Sequence, residues 1–302
     1  MSKGLRILVT GANGQLGSEF RFLQDQYPQW EFLFVTREEL DLSKTSGISP
    51  YLQSVQADII INCAAYTNVE AAEDHGADTG QNNKIVNAQN WLLNTIAPRV
   101  IAEWCADNNS VLIHFSTDYV FDGKKSTPYT EIDSTHPINQ YGYAKLLGEN
   151  EIFDTGADAI VFRVSWLYGT FGNNFMKTMI RLADANGKLS VVSDQVASPT
   201  YSRQLASDVL SIIRRFPNLK EKKGIYHYTQ HGTASWFDFA RRIMEYTHRN
   251  IPVSPVTSDA FPTKAVRPAY SKLDSSYTEQ TFGLKLPHWE DCLKECINDL
   301  KS

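Results

Sequence analysis

The segment Tyr141-Gly142-Tyr143-Ala144-Lys145 places a phenol and an amine four residues apart. On a helix, positions i and i+4 share a face. An ammonium so placed favours the phenolate and draws the phenol from its ordinary pKa of ~10 toward working pH. Such a tyrosine can protonate an alkoxide as hydride reaches a carbonyl carbon. The plain alternative is a surface Tyr/Lys pair. Position separates the two readings, because this pair opens the helix after the fourth apolar run, on the sheet edge that also carries a glycine-rich turn.

That turn is Thr10-Gly11-Ala12-Asn13-Gly14-Gln15-Leu16-Gly17, where the first apolar run passes into a helical pattern. Gly11, Gly14 and Gly17 suit a tight turn, backbone approach to a pyrophosphate and close helix packing, and the helix N-terminus offers N–H groups to the phosphates. The spacing is GxxGxxG rather than GxGxxG, so its place at the first strand–helix junction carries the weight. An acidic residue about 20 positions on would bind the adenosine ribose of NAD. Here the second apolar run, EFLFV, ends in Thr36-Arg37, with Glu38 and Glu39 behind. Arg37 suits a 2′-phosphate and tilts the expected cofactor from NADH toward NADPH; an ordinary solvated arginine is the equal alternative. Asp41 and Leu42 lie within reach of the adenine.

A third group, Ser116-Thr117-Asp118, ends the run VLIHF. Ligands of open α/β sheets bind outside the carboxyl ends of strands. Thr117 is thereby placed to hydrogen-bond a substrate carbonyl beside Tyr141, although Ser, Thr and Asp also form ordinary turns after strands.

These groups need a scaffold that brings strand ends together. Continuous apolar runs of buried-strand length occur at Leu5–Thr10, Trp30–Val35, Asp58–Ala64, Val111–Ser116 and Ala159–Val164, with helical patterns at Gln15–Gln26, Thr95–Asp107 and Tyr141–Phe153. The alternation predicts an α/β fold, a Rossmann-type doubly wound parallel sheet. After about residue 167, glycine, asparagine and proline become frequent and shorter helices (Arg203–Phe216, Ser235–His248, Trp289–Leu300) alternate with irregular chain. The expected organisation is a dinucleotide-binding domain over 1–166 and a smaller α/β substrate-binding part over 167–302, the sheet recruiting some later segments. The polar stretch Asp74–Gln89 reads as a surface loop or short helix.

Composition narrows the partners. The 302 residues carry a net charge of −5 with 42% hydrophobic and 21% charged residues, ordinary globular values. No basic cluster suits nucleic acid, and no apolar run nears the ~18 residues of a membrane span. The four cysteines are too scattered for a disulfide framework. Cys292 and Cys296 share a helix face without further metal ligands, so buried thiols in a reducing, cytoplasmic setting are expected. No carboxylate set shows metal-ligand spacing, and a homodimer is left open.

Taken in order, the glycine loop, the Ser-Thr pair and Tyr-x-x-x-Lys resemble the extended short-chain dehydrogenases. Finer text resembles the dTDP-4-dehydrorhamnose reductase family: Gly11–Gly17, Asn62–Thr67, STDYVFDG at Ser116–Gly123, YGxxKxxGE at Tyr141–Glu149, Arg163–Gly169, Gly172–Phe175, Val192–Gln195, Ser198–Thr200, Gly224–His227, Ser235-Trp236 and Arg267-Pro268. The resemblance implies that Gly14, Gln15 and Leu16 hold the pyrophosphate, Asp41 and Leu42 meet the adenine, and Ala64, Ala65 and Tyr66 line the cofactor. It further implies that Thr117 and Asp118 meet the sugar, Tyr141 donates the proton, Lys145 holds the nicotinamide ribose, and Trp166, otherwise a core tryptophan, packs beside the sugar. The implied reaction reduces C4 of a dTDP-linked 4-keto sugar.

Two departures stand out. The acidic residue often found at Thr36 is missing, and the spacing from Glu73 to Asn94 is long. The family's Val-Asn-Ala helix start therefore maps to Leu93-Asn94-Thr95 rather than to Val86-Asn87-Ala88. Two rivals remain. An epimerase of the same superfamily would retain bound NAD on purification, whereas a non-catalytic regulatory subunit would co-purify with a larger catalytic partner. A dehydratase would need an acid/base pair after the strand-end threonine, and here Asp118 is followed by Tyr119.

Overall fold

A computed structural model describes residues 4–74 and 87–300. Six strands, β1 (Arg6–Thr10), β2 (Glu31–Val35), β3 (Ile59–Asn62), β4 (Val111–Thr117), β5 (Asp158–Val164) and β6 (Gly224–Tyr228), form one sheet in the order β6-β5-β4-β3-β1-β2. Every pairing is parallel. Parallel strands are covered on both faces, which explains their continuous apolar text. The period of two sends alternate residues to opposite cores: Ile7, Val9, Ile113 and Phe162 join one cluster, and Leu8, Leu112 and Val161 the other.

Helices cover both faces, as the alternation predicted. On one side α1 (Gln15–Leu23) and α6 (Ser202–Arg215) supply Leu16, Phe20, Leu205 and Val209. On the other, α2 (Ile48–Val55) and α3 (Ala97–Asp107) supply Ile48, Leu52, Ile101 and Trp104. Both β6 and α6 come from beyond residue 167 and pack with the central sheet. A separate core is built by α5 (Phe175–Asn186), α7 (Trp236–Tyr246) and α8 (Trp289–Asp299) around Tyr168, Met176, Phe239 and Trp289. Cys292 and Cys296 are buried in it as free thiols, as their spacing suggested.

The approach to α3 differs from the expected helix start. Asn87 caps the first turn, its Oδ1 accepting from the backbone N–H groups of Gln89 and Asn90. Helix Ala88–Trp91 then runs into a π-helical turn, Leu92–Ile96, before α3. Pro98 has no N–H for the carbonyl of Asn94, four residues back, and a widened turn accommodates the missing bond. Leu93-Asn94-Thr95 therefore lies inside the helical run, and its start is at Asn87. Of the stretch read as a loop or short helix, residues 75–86 lie outside the described residues.

The π turn seats α4 (Gln140–Asp154), the helix with Tyr141 and Lys145. A Cβ on Gly148 would strike the Asn94 carbonyl oxygen, so only glycine permits this approach. Thr95 Oγ1 donates to the Ala144 carbonyl at 2.8 Å and Asn90 Nδ2 to that of Gln140 at 3.1 Å. The N-terminus is fixed by Asn139, whose Oδ1 accepts from Gly142 N at 2.7 Å. Toward its other end, Glu149 takes a fork of bonds from Arg163 on β5: Nη2–Oε2 2.6 Å and Nε–Oε1 3.0 Å, with both side chains buried. A charge left unpaired in such a place is costly. Glu149→Ala is accordingly expected to lower stability by about 3–5 kcal/mol, whereas the paired apolar replacement Glu149→Leu with Arg163→Met recovers most of the loss. Urea unfolding of the single and double variants checks this, and equal losses in both would contradict it.

Candidate active site

A cleft of about 670 Å³ opens at the carboxyl ends of β1, β3, β4 and β5. Strand order reverses between β1 and β3, the switch point at which open α/β sheets take ligands. Of the residues expected at the site, Gly11, Gly14, Gln15, Leu16, Arg37, Asp41, Leu42, Ala64, Ala65, Thr117, Asp118, Tyr141, Lys145 and Trp166 all border this cleft. Asn13, Gly17 and Tyr66 are not among its lining. Asn13 is exposed to solvent. Gly17 is buried beneath the turn, where a Cβ would collide with the Gly11 carbonyl and with Ala12. Tyr66 is held by its backbone: its N–H donates to Asn94 Oδ1 at 3.1 Å and its carbonyl accepts from Asn94 Nδ2 at 2.9 Å.

The β1–α1 turn suits an anion. The first turn of α1 holds no acidic residue and no side chain caps it, so its leading N–H groups keep their capacity for phosphate oxygens. Gln15 is tied to the later part of the chain through Asn174, whose Nδ2 donates to Gln15 Oε1 at 2.9 Å. Arg37 reaches the cleft rim with 72% of its side chain exposed, and its nearest anion, Asp41, stands at 3.7 Å. A guanidinium so loosely held is available to a further anion.

At the end of β4, buried polar groups converge. Thr117 Oγ1 donates to Asp118 Oδ1 at 3.1 Å and accepts from Tyr119 N–H at 3.2 Å. Tyr141 borders the same cleft. Burial, and next the nearby Asp118 carboxyl, push the Tyr141 phenol above its ordinary value, with Thr117 opposing. The expected lowering by Lys145 is therefore corrected. The i, i+4 spacing does put both residues at one cleft, but Lys145 Nζ turns to the Phe115 carbonyl at 2.6 Å and lies 3.5 Å from His114 Nε2. Burial lowers Lys145 to about 8, Glu149 opposing, and drives His114 well below its usual range. The resulting phenol keeps its proton at neutral pH, the form required of an acid.

The far wall is aromatic. Trp166 stacks on Trp236 with ring centroids 3.5 Å apart and planes 9° from parallel. Trp236 Nε1 donates to Gln195 Oε1 at 3.2 Å, and Phe175 leans on the same ring at 4.5 Å. Trp236, Asn173, Thr67 and Cys63 border the cleft without having been singled out as site residues. For Trp236 a signal existed, since the Ser235-Trp236 pair belongs to the finer family text. Thr67 lay at the edge of another such stretch.

The comparisons with known proteins agree with this geometry. The model of the family described as "RmlD substrate binding domain" matches residues 5–302. A dTDP-4-dehydrorhamnose reductase of Burkholderia thailandensis is 35% identical over 99% of this chain and 100% of its own length. Another, from Aggregatibacter actinomycetemcomitans, is 37% identical over 96% of this chain and 97% of its own. The crystal structure of dTDP-4-dehydrorhamnose reductase from Bacillus anthracis in complex with NADP superposes with a TM-score of 0.88 at 33% identity, covering 98% of this chain and 99% of that one. With a full-length family match and relatives above 30% identity, the chain belongs to the family of the dTDP-4-dehydrorhamnose reductases.

Proposed function

We propose that the protein reduces the C4 ketone of dTDP-4-dehydro-L-rhamnose to the alcohol of dTDP-L-rhamnose, using NAD(P)H, with Tyr141 as the proton donor. The observation that carries the proton-donor assignment is that Tyr141 on α4 and Thr117 at the carboxyl end of β4 border the same cleft as the β1–α1 turn. When bound, the reduced dinucleotide supplies the hydride that adds to the carbonyl carbon. Gly14, Gln15 and Leu16 would hold its pyrophosphate at the uncapped end of α1, and Asp41 and Leu42 its adenine. Lys145 would take the nicotinamide ribose, and Ala64 and Ala65 give the small side chains that let a flat ring system approach β3.

Thr117 orients the carbonyl, and Tyr141 delivers a proton to the oxygen as negative charge grows there. Its raised pKa makes the phenol a weaker acid in the resting site but keeps the proton in place until an alkoxide, a far stronger base, is at hand. Asp118 and Trp166 complete the sugar contacts. Trp166 offers a flat apolar face, with Trp236 fixing its plane. The epimerase and regulatory-subunit readings have no observation in their favour beyond the shared fold.

Oxidation of NADPH and NADH at 340 nm with the dTDP-4-keto sugar tests the reading. Tyr141→Phe is expected to cut kcat by about 10²–10⁴-fold, the usual contribution of a general acid, while dinucleotide still binds. Turnover surviving intact would overturn the assignment of Tyr141. Arg37→Ala separates the cofactors: removing one charge-assisted contact to a 2′-phosphate should raise KM for NADPH roughly tenfold or more and leave KM for NADH unchanged. An equal change in both would make Arg37 an ordinary surface residue.

A further inference from the structure

The indole stack that lines the cleft is held by residues behind it. Val196-Ala197 pairs antiparallel with Ala234-Ser235, Val196 standing opposite Ser235. The next step of that register puts Gln195 across from Trp236, the first residue of α7. Gln195 is not among the cleft's lining residues, yet its side chain meets the one polar atom of the Trp236 ring. Trp236 Nε1 donates to Gln195 Oε1 at 3.2 Å. The other end of the amide is engaged as well: Gln195 Nε2 donates to Ser258 Oγ at 3.0 Å, and Ser258 Oγ donates to Asp194 Oδ1 at 2.7 Å. Further along the same run, the backbone of Ser198 and Thr200 bonds Ser165 and Trp166. One segment thus touches both partners of the stack.

The chemistry of these groups leaves the amide a single orientation. An indole N–H only donates, and a carboxylate only accepts. Ser258 gives its one hydroxyl hydrogen to Asp194, whose other oxygen accepts from the Ser258 backbone N–H at 2.9 Å. The Ser258 hydroxyl can therefore only accept from Gln195. The amide must turn its NH2 to Ser258 and its oxygen to Trp236. A ring held at Nε1 cannot swing about its bond to the backbone, and Phe175 at the start of α5 leans on the same ring at 4.5 Å.

We propose that Gln195 is a positioning residue for the substrate's sugar, acting through Trp236: it fixes the rotation of that ring, and the stack hands the plane on to Trp166. This rests on the reading of Trp166 as a sugar contact. Ring centroids 3.5 Å apart and planes 9° from parallel leave no space for a ligand between the indoles. The sugar can pack only on the side of Trp166 turned away from Trp236, so the angle of that one face decides the fit. The contact is made in ground and transition state alike, and its loss falls on KM rather than on kcat.

The test compares Gln195→Leu, Gln195→Glu and Ser258→Ala with wild type in steady-state kinetics with the keto sugar and in circular dichroism of the coupled indoles. Trp166–Trp236 is the one indole–indole stack among the described residues, and its exciton signal is assigned by loss in Trp236→Phe. Expected in Gln195→Leu are a weakened exciton signal and a KM for the keto sugar raised roughly three- to tenfold, the net contribution of one hydrogen bond. Its kcat and its dissociation constant for the dinucleotide should stay within about twofold of wild type. Gln195→Glu keeps an acceptor for Nε1 and should return both readouts toward wild type. Ser258→Ala, in an outer turn without buried residues, frees the amide and should move both in the same direction by less. A Gln195→Leu enzyme with KM or exciton signal unchanged, or with kcat lowered in place of a raised KM, would overturn the positioning role. Should that variant fail to fold, an unchanged exciton signal in Ser258→Ala overturns it equally. Failure of the underlying reading is distinct, because it shows as an unchanged KM in Trp166→Ala.

Discussion

The fork between Glu149 and Arg163 joins α4 to β5 in the interior, where neither charge has water to fall back on. Its geometry fixes how far α4 stands from the sheet, and the ladder carries that constraint onward. Arg163 is in register with Ser116, and Val164 with Thr117, so the residue that holds the helix is one step from the strand end that faces Tyr141. Gly148 against the Asn94 carbonyl sets the same distance from the opposite flank. A helix pinned on two sides holds its phenol at one place in the cleft reproducibly. Surface ion pairs such as Arg99–Glu103 could not supply this, since solvent screens them and their side chains stay mobile.

Burial acts in opposite directions on the groups that α4 and β4 bring together, and the result is a site poised near neutrality of charge. It raises the acids Tyr141 and Asp118 and lowers the bases Lys145 and His114. Both shifts disfavour the charged form. Lys145 offsets part of its desolvation by giving its ammonium to the Phe115 carbonyl, and Asn62 Nδ2 meets His114 Nδ1 at 3.1 Å on the neighbouring strand. An environment of this kind strengthens every later electrostatic contact with a charged ligand.

Much of the scaffold was legible because parallel strands buried on two faces leave continuous apolar text, and β1 through β5 stand within a residue or two of their expected bounds. The strand β6 was not legible as part of this sheet, since its text does not say which neighbour it joins; pairing with β5 bridges more than 60 residues of chain. The π turn was hidden by the same absence of long-range information. Pro98 signals a break only once the helix is known to begin at Asn87. At the site, the i, i+4 relation of Tyr141 and Lys145 correctly gave a shared cleft but the wrong electrostatic partner. Spacing fixes where a side chain starts, whereas a long flexible amine ends wherever desolvation is best offset. Asp118 and Ser271 meet across 153 positions, a contact no local pattern announces.

Trp166 shows how the two parts of the chain are made to share one cleft. Its backbone lies in the left-handed region, φ +46°, which is uncommon for a bulky residue and carries a strain on the order of 1–3 kcal/mol. The strain persists because two bonds hold it: Ser165 Oγ donates to the Ser198 carbonyl at 2.6 Å, and the Trp166 carbonyl accepts from Thr200 N–H at 3.1 Å. The turn directs the indole out of the β5 line and onto Trp236, the first residue of α7. Stacking of two large rings then repays part of the strain, and the pair lines the cleft that Tyr141 also borders. A residue relaxed into the ordinary extended region would continue the strand and turn its ring away, so the strained backbone is what makes the sheet and the α5–α7–α8 core line the same cleft.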